Sequence, residues 1–377
     1  MTGKPEVNFT IADDRCTEGS CPLDRMSMGR NTLSSIFMRM LLIGASGFIG
    51  PHVVRGLVDR GHEVAVFHRR KAAVSFPSDV QTIAGDRNRL SEYSTALREF
   101  EPDVVIDIIL SSAPQARQLM DTFRGVARRV VILSSKDVYR ACGVLHGSEP
   151  GPLEPLPLTE NSRLREKAQT YPPPVLKALQ GVFGWIDDEY DKVPVERAVL
   201  CDPQLPTTVL RLPMVYGPGD PLHRFYPVVK HIADGRHKIL FSEGSAAWRS
   251  PRGYVKNVAA AIALAAVSDH AAGEIYNIAE EPAYSELEWA QKIAAAMNWQ
   301  GEFIALPEDK TPVHLRTPGN AAQHWVASSA KIRERLGYRE PVALEEAIQR
   351  TIAWERENPP AGASFHQFDY VAEDAAD

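Results

Sequence analysis

Between Met40 and Ile43 the chain is apolar and uncharged. It then breaks at a turn carrying Gly44, Gly47 and Gly50, after which Phe48, Ile49, Val53, Val54, Leu57 and Val58 recur at helical spacing until Gly61. Short apolar runs bounded by turn residues mark strands buried on both faces, and the 3.6-residue spacing marks helices lying over them. The same alternation continues along the chain. It predicts strands over 63–67, 80–84, 104–109 and 130–133, with helices over 90–100 and 113–127. Strands that alternate with amphipathic helices build a doubly wound parallel α/β sheet.

The rhythm stops after Tyr139, where prolines collect at 150, 152, 155, 157, 172, 173 and 174. Long irregular segments of this kind act as lids or binding loops. The alternation resumes with a predicted helix over 187–200 and a strand over 207–212; later helices are expected over 285–297, 328–336 and 344–357. The expected organisation is a mobile tail over 1–37 and a dinucleotide-binding domain over 38–215, completed by segments near 253–280 and carrying an insertion over 141–185. A smaller substrate-binding region over 216–358 and a C-terminal tail over 359–377 would follow.

The glycine turn adds chemistry to the pattern. A strand, a glycine-rich turn and a helix in that order let backbone N–H groups approach a pyrophosphate at a helix N-terminus, so the fold is read as Rossmann-type. Ser46, Phe48 and Ile49 share the turn with Gly44, Gly47 and Gly50. An acid that bonds the adenosine ribose is common about 20 residues further on. Here that position holds His68, followed by Arg69, Arg70 and Lys71. A guanidinium fork grips a 2′-phosphate, so NADP is favoured and NAD is the alternative. A merely solvated basic loop is the plain alternative for this cluster.

Composition narrows the class. The 377 residues are 44% hydrophobic and 24% charged, enough for a large core, and the net charge of −6 argues against a nucleic-acid partner. Four cysteines make no disulfide framework, and Cys16 with Cys21 lacks the histidines of a zinc site. No metal is expected, since the eleven histidines show no ligand spacing. A nucleophile elbow is missing, which removes the hydrolase reading. Without a recognisable signal segment or spanning helix, the expectation is a cytoplasmic protein with no membrane partner.

The glycine motif, GHEVAVFHRR over 61–70, the pair Gly85 and Asp86, SSKDVY over 134–139, VLRLPMVYGPGD over 209–220, RGYVKNVAAAI over 252–262 and EIYNIAEEPAYSELE over 274–288 together resemble the extended short-chain dehydrogenase/reductases, the NAD-dependent epimerase/dehydratase group. The resemblance covers roughly 39–358. It implies a cofactor site that adds Asp86, Arg87, Ile109, Leu110, Ser134, Pro213 and Met214, and it makes a homodimer plausible. In that family a serine after the fifth strand works with a tyrosine and a lysine four residues apart on the next helix. Ser135 falls at the serine position.

The helix departs from this pattern. Lys192 with Glu196 fits the register of the family lysine, which puts Asp188 at the tyrosine position, while Tyr190 lies only two residues before Lys192. Tyr190 is then a displaced acid/base with Lys192 on the ribose, or Asp188 titrates in its place, or Asp188 and Lys192 form an exposed i,i+4 ion pair. This irregularity makes the chain resemble the atypical extended members, including the chloroplast stem-loop-binding subgroup and its bacterial relatives. Trp248, Arg249 and Arg252 are candidates for a clamp on an anionic substrate group. The expected activity is an NADP(H)-dependent oxidoreductase or epimerase acting on a small polar hydroxy or keto compound, anionic if that clamp forms. A non-catalytic dinucleotide sensor or scaffold, or an RNA-binding protein, are the alternatives.

Overall fold

Eleven strands can be named in chain order: β1 (Arg39–Ile43), β2 (Glu63–His68), β3 (Gln81–Ala84), β4 (Val104–Asp107), β5 (Arg129–Ser135), β6 (Thr207–Leu212), β7 (Met214–Tyr216), β8 (Lys238–Ser242), β9 (Arg252–Tyr254), β10 (Ile275–Asn277) and β11 (Glu302–Leu306). Seven of them form one parallel sheet in the order β10-β6-β5-β4-β1-β2-β3. This computed structural model describes residues 37–69, 74–168, 171–317, 319–360 and 366–376. From Phe37 onward they belong to one folded unit. The tail expected over 1–37 falls, apart from Phe37, outside the described residues, as do Arg70 and Lys71.

Side chains alternate along each strand, so the sheet has two apolar faces. On one, Met40, Leu42, Val64 and Val66 meet Val53, Val54 and Leu57 of helix Gly50–Val58 and the alanine-rich helix Val255–Val267. On the other, Leu41, Ile43, Ala65 and Phe67 meet Leu119 and Phe123 of helix Ala113–Phe123 and Val195 and Val199 of helix Lys192–Leu200. The doubly wound parallel sheet expected from the sequence is therefore the architecture observed. Two short parallel pairs, β7 with β9 and β8 with β11, extend the region beyond the sheet.

Several boundaries move. The strand expected over 104–109 ends at Asp107, whose Oδ1 accepts the Ile109 N–H at 3.1 Å. The helix expected over 90–100 is a 3₁₀ stretch, Arg87–Tyr93, kinked at Arg89 and followed by helix Ser94–Glu99. More important for the site, the helix expected over 187–200 begins only at Lys192. Pro194 sets that start: within a first turn its missing N–H has no role, but in a helix begun at residue 187 its ring would meet the carbonyl of Tyr190. Asp191 caps the helix by accepting the Val193 N–H at 2.9 Å.

The proline-rich stretch holds helix Arg140–Leu145 and helix Pro173–Val182, and no residue of the latter is buried. Beyond residue 358 lies an element that the sequence reading lacked. Helix Tyr370–Ala376 inserts Glu373 between His231 and His314, with each Nε2 at 3.0 Å from a carboxylate oxygen.

A buried ion pair ties helix Lys192–Leu200 to the sheet. The Arg211 guanidinium on β6 makes a two-pronged contact with Glu196, at 3.0 Å from Nε and 2.7 Å from Nη2, and both side chains are at most 2% exposed. Ser134 on β5 donates to the same carboxylate at 2.5 Å. Arg211 also donates to the Tyr139 hydroxyl at 3.0 Å, which in turn donates to Asn277 on β10 at 2.6 Å. Removing one partner strands the other charge away from water, so Glu196→Ala is expected to cost about 3–5 kcal/mol, read as a lower urea midpoint at unchanged slope.

Candidate active site

At the C-terminal ends of β1, β2 and β4 the glycine turn opens into a cavity of about 580 Å³. The three glycines differ physically. Gly44 has φ +82°, a conformation that favours a residue without Cβ, and a Cβ there would strike Ile109 at 2.6 Å. At Gly50 a Cβ would meet the Ala45 carbonyl oxygen at 2.2 Å, so this glycine lets helix Gly50–Val58 pack against the turn. Around Gly47 nothing lies within 4 Å of such an atom. The space belongs to the cavity, and the helix behind it has no acid in its first turn. An anionic pyrophosphate fits a cradle of this kind.

Gly44, Ser46, Gly47, Phe48 and Ile49 form the cavity wall on the turn side. His68 and Arg69 close it at the end of β2, and Asp86, Arg87 and Ile109 line it further in. Opposite them lie Val182, Phe183, Gly184 and Trp185, so the proline-rich insertion supplies a roof. Arg69 is exposed and donates from Nη2 to the Gly184 carbonyl at 3.5 Å. Arg87 is buried against Asp107, at 2.7 Å. Leu110, Ser134, Pro213 and Met214 stand outside this wall. The Leu110 carbonyl receives Lys192, Ser134 serves Glu196, Pro213 packs beneath Gly253, and the Met214 sulfur accepts from Ser250 at 3.2 Å.

Ser135 and Tyr190 share Asp137 as a partner, and Lys192 lies beside the Tyr190 ring. Tyr190 lies on the loop before the late-starting helix, and its hydroxyl donates to Asp137 Oδ2 at 3.0 Å. Ser135 Oγ accepts the Asp137 N–H at 3.2 Å. Lys192 is 3% exposed and donates to the carbonyls of Leu110 and Leu133, the latter at 3.0 Å. Its Nζ sits 5.3 Å from the centre of the Trp185 ring and 5.6 Å from that of Tyr190, so Trp185 joins the cluster to the cavity. Burial brings the Lys192 ammonium down to about 8, against the opposing pull of Asp137. The Tyr190 hydroxyl is pushed well up, by burial and then by the carboxylate beside it.

Two expectations need correction. Asp188 and Lys192 do not share a helix face, because neither Asp188 nor Tyr190 is helical. Asp188 is exposed and accepts from Gln180 at 2.8 Å, while Lys192 points into the fold. The expected anion clamp is also already partnered: Arg249 makes a forked contact with Glu288 at 2.7 and 3.2 Å, and Arg252, 4% exposed, pairs with Glu286. Trp248 donates its indole N–H to the Gln323 carbonyl at 3.0 Å. Asp137, Tyr171 and Arg165 are the site residues that sequence reasoning missed. Their spacing has no motif, and only SSKDVY hinted at Asp137. Among the described residues no group of three or more His, Cys, Asp or Glu is placed to hold a metal ion, and no helix is long and apolar enough to cross a membrane.

A nucleotide cradle at the switch of a doubly wound sheet, beside half-buried Ser135 and Tyr190 and buried Lys192, fits a dinucleotide-dependent oxidoreductase class. A profile of the NAD dependent epimerase/dehydratase family matches residues 40–156 and 195–279, and the chain belongs to that family. It is an enzyme of the extended short-chain dehydrogenase/reductase type, an NAD-dependent oxidoreductase of the epimerase, dehydratase and reductase kind. Among its relatives, 2'-dehydrokanamycin reductase of Streptomyces kanamyceticus is 25% identical over 72% of this chain and 70% of its own. 3-beta-hydroxysteroid dehydrogenase of Mycolicibacterium neoaurum is 24% identical over 84% of each. The Bordetella bronchiseptica enzyme WbmG in complex with NAD shares the fold at a TM-score of 0.62 and 14% identity, over 86% of this chain and 96% of its own.

The open space at Gly47 separates binding from folding. Gly47→Val should keep the wild-type melting temperature while its dinucleotide affinity falls by roughly tenfold or more, about 1.4 kcal/mol, in a calorimetric titration. Gly50→Val, by contrast, should lose stability first.

Proposed function

We propose that the enzyme uses NADP(H) and reduces, oxidises or epimerises a small polar hydroxy or keto compound. Tyr190 serves as its proton donor and acceptor, Ser135 bonds the substrate oxygen and Lys192 holds the nicotinamide ribose. The observation that carries this reading is that Ser135 and Tyr190 both bond Asp137, while Tyr190 and Lys192 lie beside Trp185, a wall residue of the cavity. The dinucleotide, when bound, supplies a hydride acceptor or donor at the substrate carbon. The chain's own groups then orient the substrate oxygen and move its proton.

Cofactor preference rests on the end of β2. His68 stands where a ribose-binding acid would, and Arg69 lines the cavity with no carboxylate paired to it among the described residues. A guanidinium free of an internal acid is suited to a 2′-phosphate. The fitted roles of Trp248, Arg249 and Arg252 weaken the anion-clamp part of the reading, so a neutral polar substrate is favoured over an anionic one. The homodimer implied by the resemblance is a further proposal, open to sedimentation.

Calorimetry with NADPH and NADH tests the cofactor assignment: NADPH should bind roughly tenfold or more tighter, and Arg69→Ala should erase that preference while leaving NADH affinity nearly unchanged. A preference for NADH would overturn it. On any substrate the wild type turns over, Tyr190→Phe should lower kcat on the order of 10²- to 10⁴-fold.

A further inference from the structure

Asp137 stands two residues after Ser135 on the turn that leaves β5, and it is 1% exposed. Its Oδ2 receives two phenol hydroxyls, Tyr190 at 3.0 Å and Tyr171 at 3.4 Å. Its Oδ1 is equally hidden from solvent and has no hydrogen-bond partner among the described residues. Buried carboxylates are ordinarily satisfied at both oxygens or paired directly with a cation. Here the nearby cations are turned to other acceptors. Arg165 gives its Nε–H to the Asp137 backbone carbonyl and Nη2 to Asp191 at 2.9 Å, while Lys192 gives its ammonium to two carbonyls. The carboxyl group thus has tyrosine donors on one oxygen and no side-chain or backbone donor from the described residues on the other, an arrangement suited to gaining a proton.

We propose that Asp137 is the proton store of the active site, taking and returning the substrate's proton through the Tyr190 hydroxyl. This rests on the oxidoreductase reading above. In the oxidation direction the carbinol C–H bond breaks, with its electron pair leaving as hydride to the nicotinamide. The substrate O–H bond breaks, its proton passes to the Tyr190 oxygen, and the Tyr190 proton passes to Asp137 Oδ2. Tyrosine ends neutral, the substrate oxygen ends as a carbonyl, and Asp137 ends as a carboxylic acid. Reduction reverses every transfer. In an epimerisation the proton withdrawn in the first half stays on Asp137 until the keto group is reduced again. Asp137 acts through Tyr190 and not on the substrate itself, so it is a positioning residue for that proton.

The electrostatic surroundings agree with the geometry. Burial raises the Asp137 carboxyl above its ordinary range, against the pull of Arg165, of the Tyr190 hydrogen bond and of Lys192, and with a push from Asp191. Burial and the same carboxylate raise both Tyr171 and Tyr190, and the Cys142 thiol also faces Tyr171. A tyrosinate is therefore a costly resting state here, and a protonated Asp137 is the cheaper place for the proton. The common arrangement, in which a neighbouring lysine lowers the tyrosine, is replaced by one in which a carboxyl group relays through it.

The closing experiment has a spectroscopic and a kinetic arm on the full chain. Infrared difference spectra between acid and alkaline buffer should show a protonated-carboxyl C=O band that titrates above the usual carboxylate range, is missing from Asp137→Asn, and shifts in Tyr190→Phe. In NADPH-dependent reduction of phenanthrenequinone, a general carbonyl probe, the proton must start on Asp137. Wild-type kcat should therefore fall as pH rises through that titration. Asp137→Asn should lower kcat on the order of 10²-fold with KM nearly unchanged and lose this limb, and Asp137→Glu should restore part of it. A wild-type spectrum without the band, or an Asp137→Asn variant that keeps the wild-type pH profile, overturns the relay alone. Absence of dinucleotide binding in calorimetry overturns the oxidoreductase reading and the relay with it.

Discussion

The buried pair of Glu196 and Arg211 is the contact on which the placement of the active site depends. It joins helix Lys192–Leu200 to β6, takes in Ser134 of β5, and reaches β10 through Tyr139 and Asn277. A charge pair at this depth gains little over apolar packing but is costly to break, so its value lies in fixing one register of helix on sheet. Lys192 begins that helix, one turn before Glu196. Fixing Glu196 therefore fixes where the Lys192 ammonium meets the carbonyls of Leu110 and Leu133.

Much of the frame was readable from periodicity. β6 and helix Leu344–Glu357 appear over the expected residues, and β1 with its glycine turn needed only the apolar run and three glycines. Local signals sufficed there because buried parallel strands and amphipathic helices write their burial into each residue. The helix start at Lys192 was also present in the sequence, as Asp191 and Pro194, but the resumed alternation was read as a helix from residue 187. The internal carboxylates Glu286 and Glu288 could not have been matched to Arg252 and Arg249 from spacing alone, since each pairing crosses more than 30 residues of chain. The same holds for Asp137 with Tyr190, which are 53 positions apart.

The late helix start changes how Tyr190 is held. On a helix, Tyr190 would be aimed by backbone geometry; on a loop, it must be held by its neighbours. The loop is pinned on both sides of Tyr190. Asp187 accepts from Ser111 at 3.1 Å, Ser112 at 2.7 Å and Gln115 at 3.3 Å, and Asp191 takes Arg165 while capping the helix. Polar anchors thus do for an irregular segment what an i,i+4 register does on a helix face.

The same loop roofs the cofactor cavity, because Phe183, Gly184 and Trp185 precede Asp187 in an unbroken run. Gly184 accepts from Arg69 and Trp185 faces Lys192. One short segment therefore reaches from Arg69 at the end of β2 to Lys192 at the start of its helix. The segment lies between the two blocks of chain shared with the family, 40–156 and 195–279. The glycine cradle, Ser135 and Asp137 lie in the first of these blocks, whereas the roof residues Val182 to Trp185, together with Tyr190 and Lys192, lie between the two.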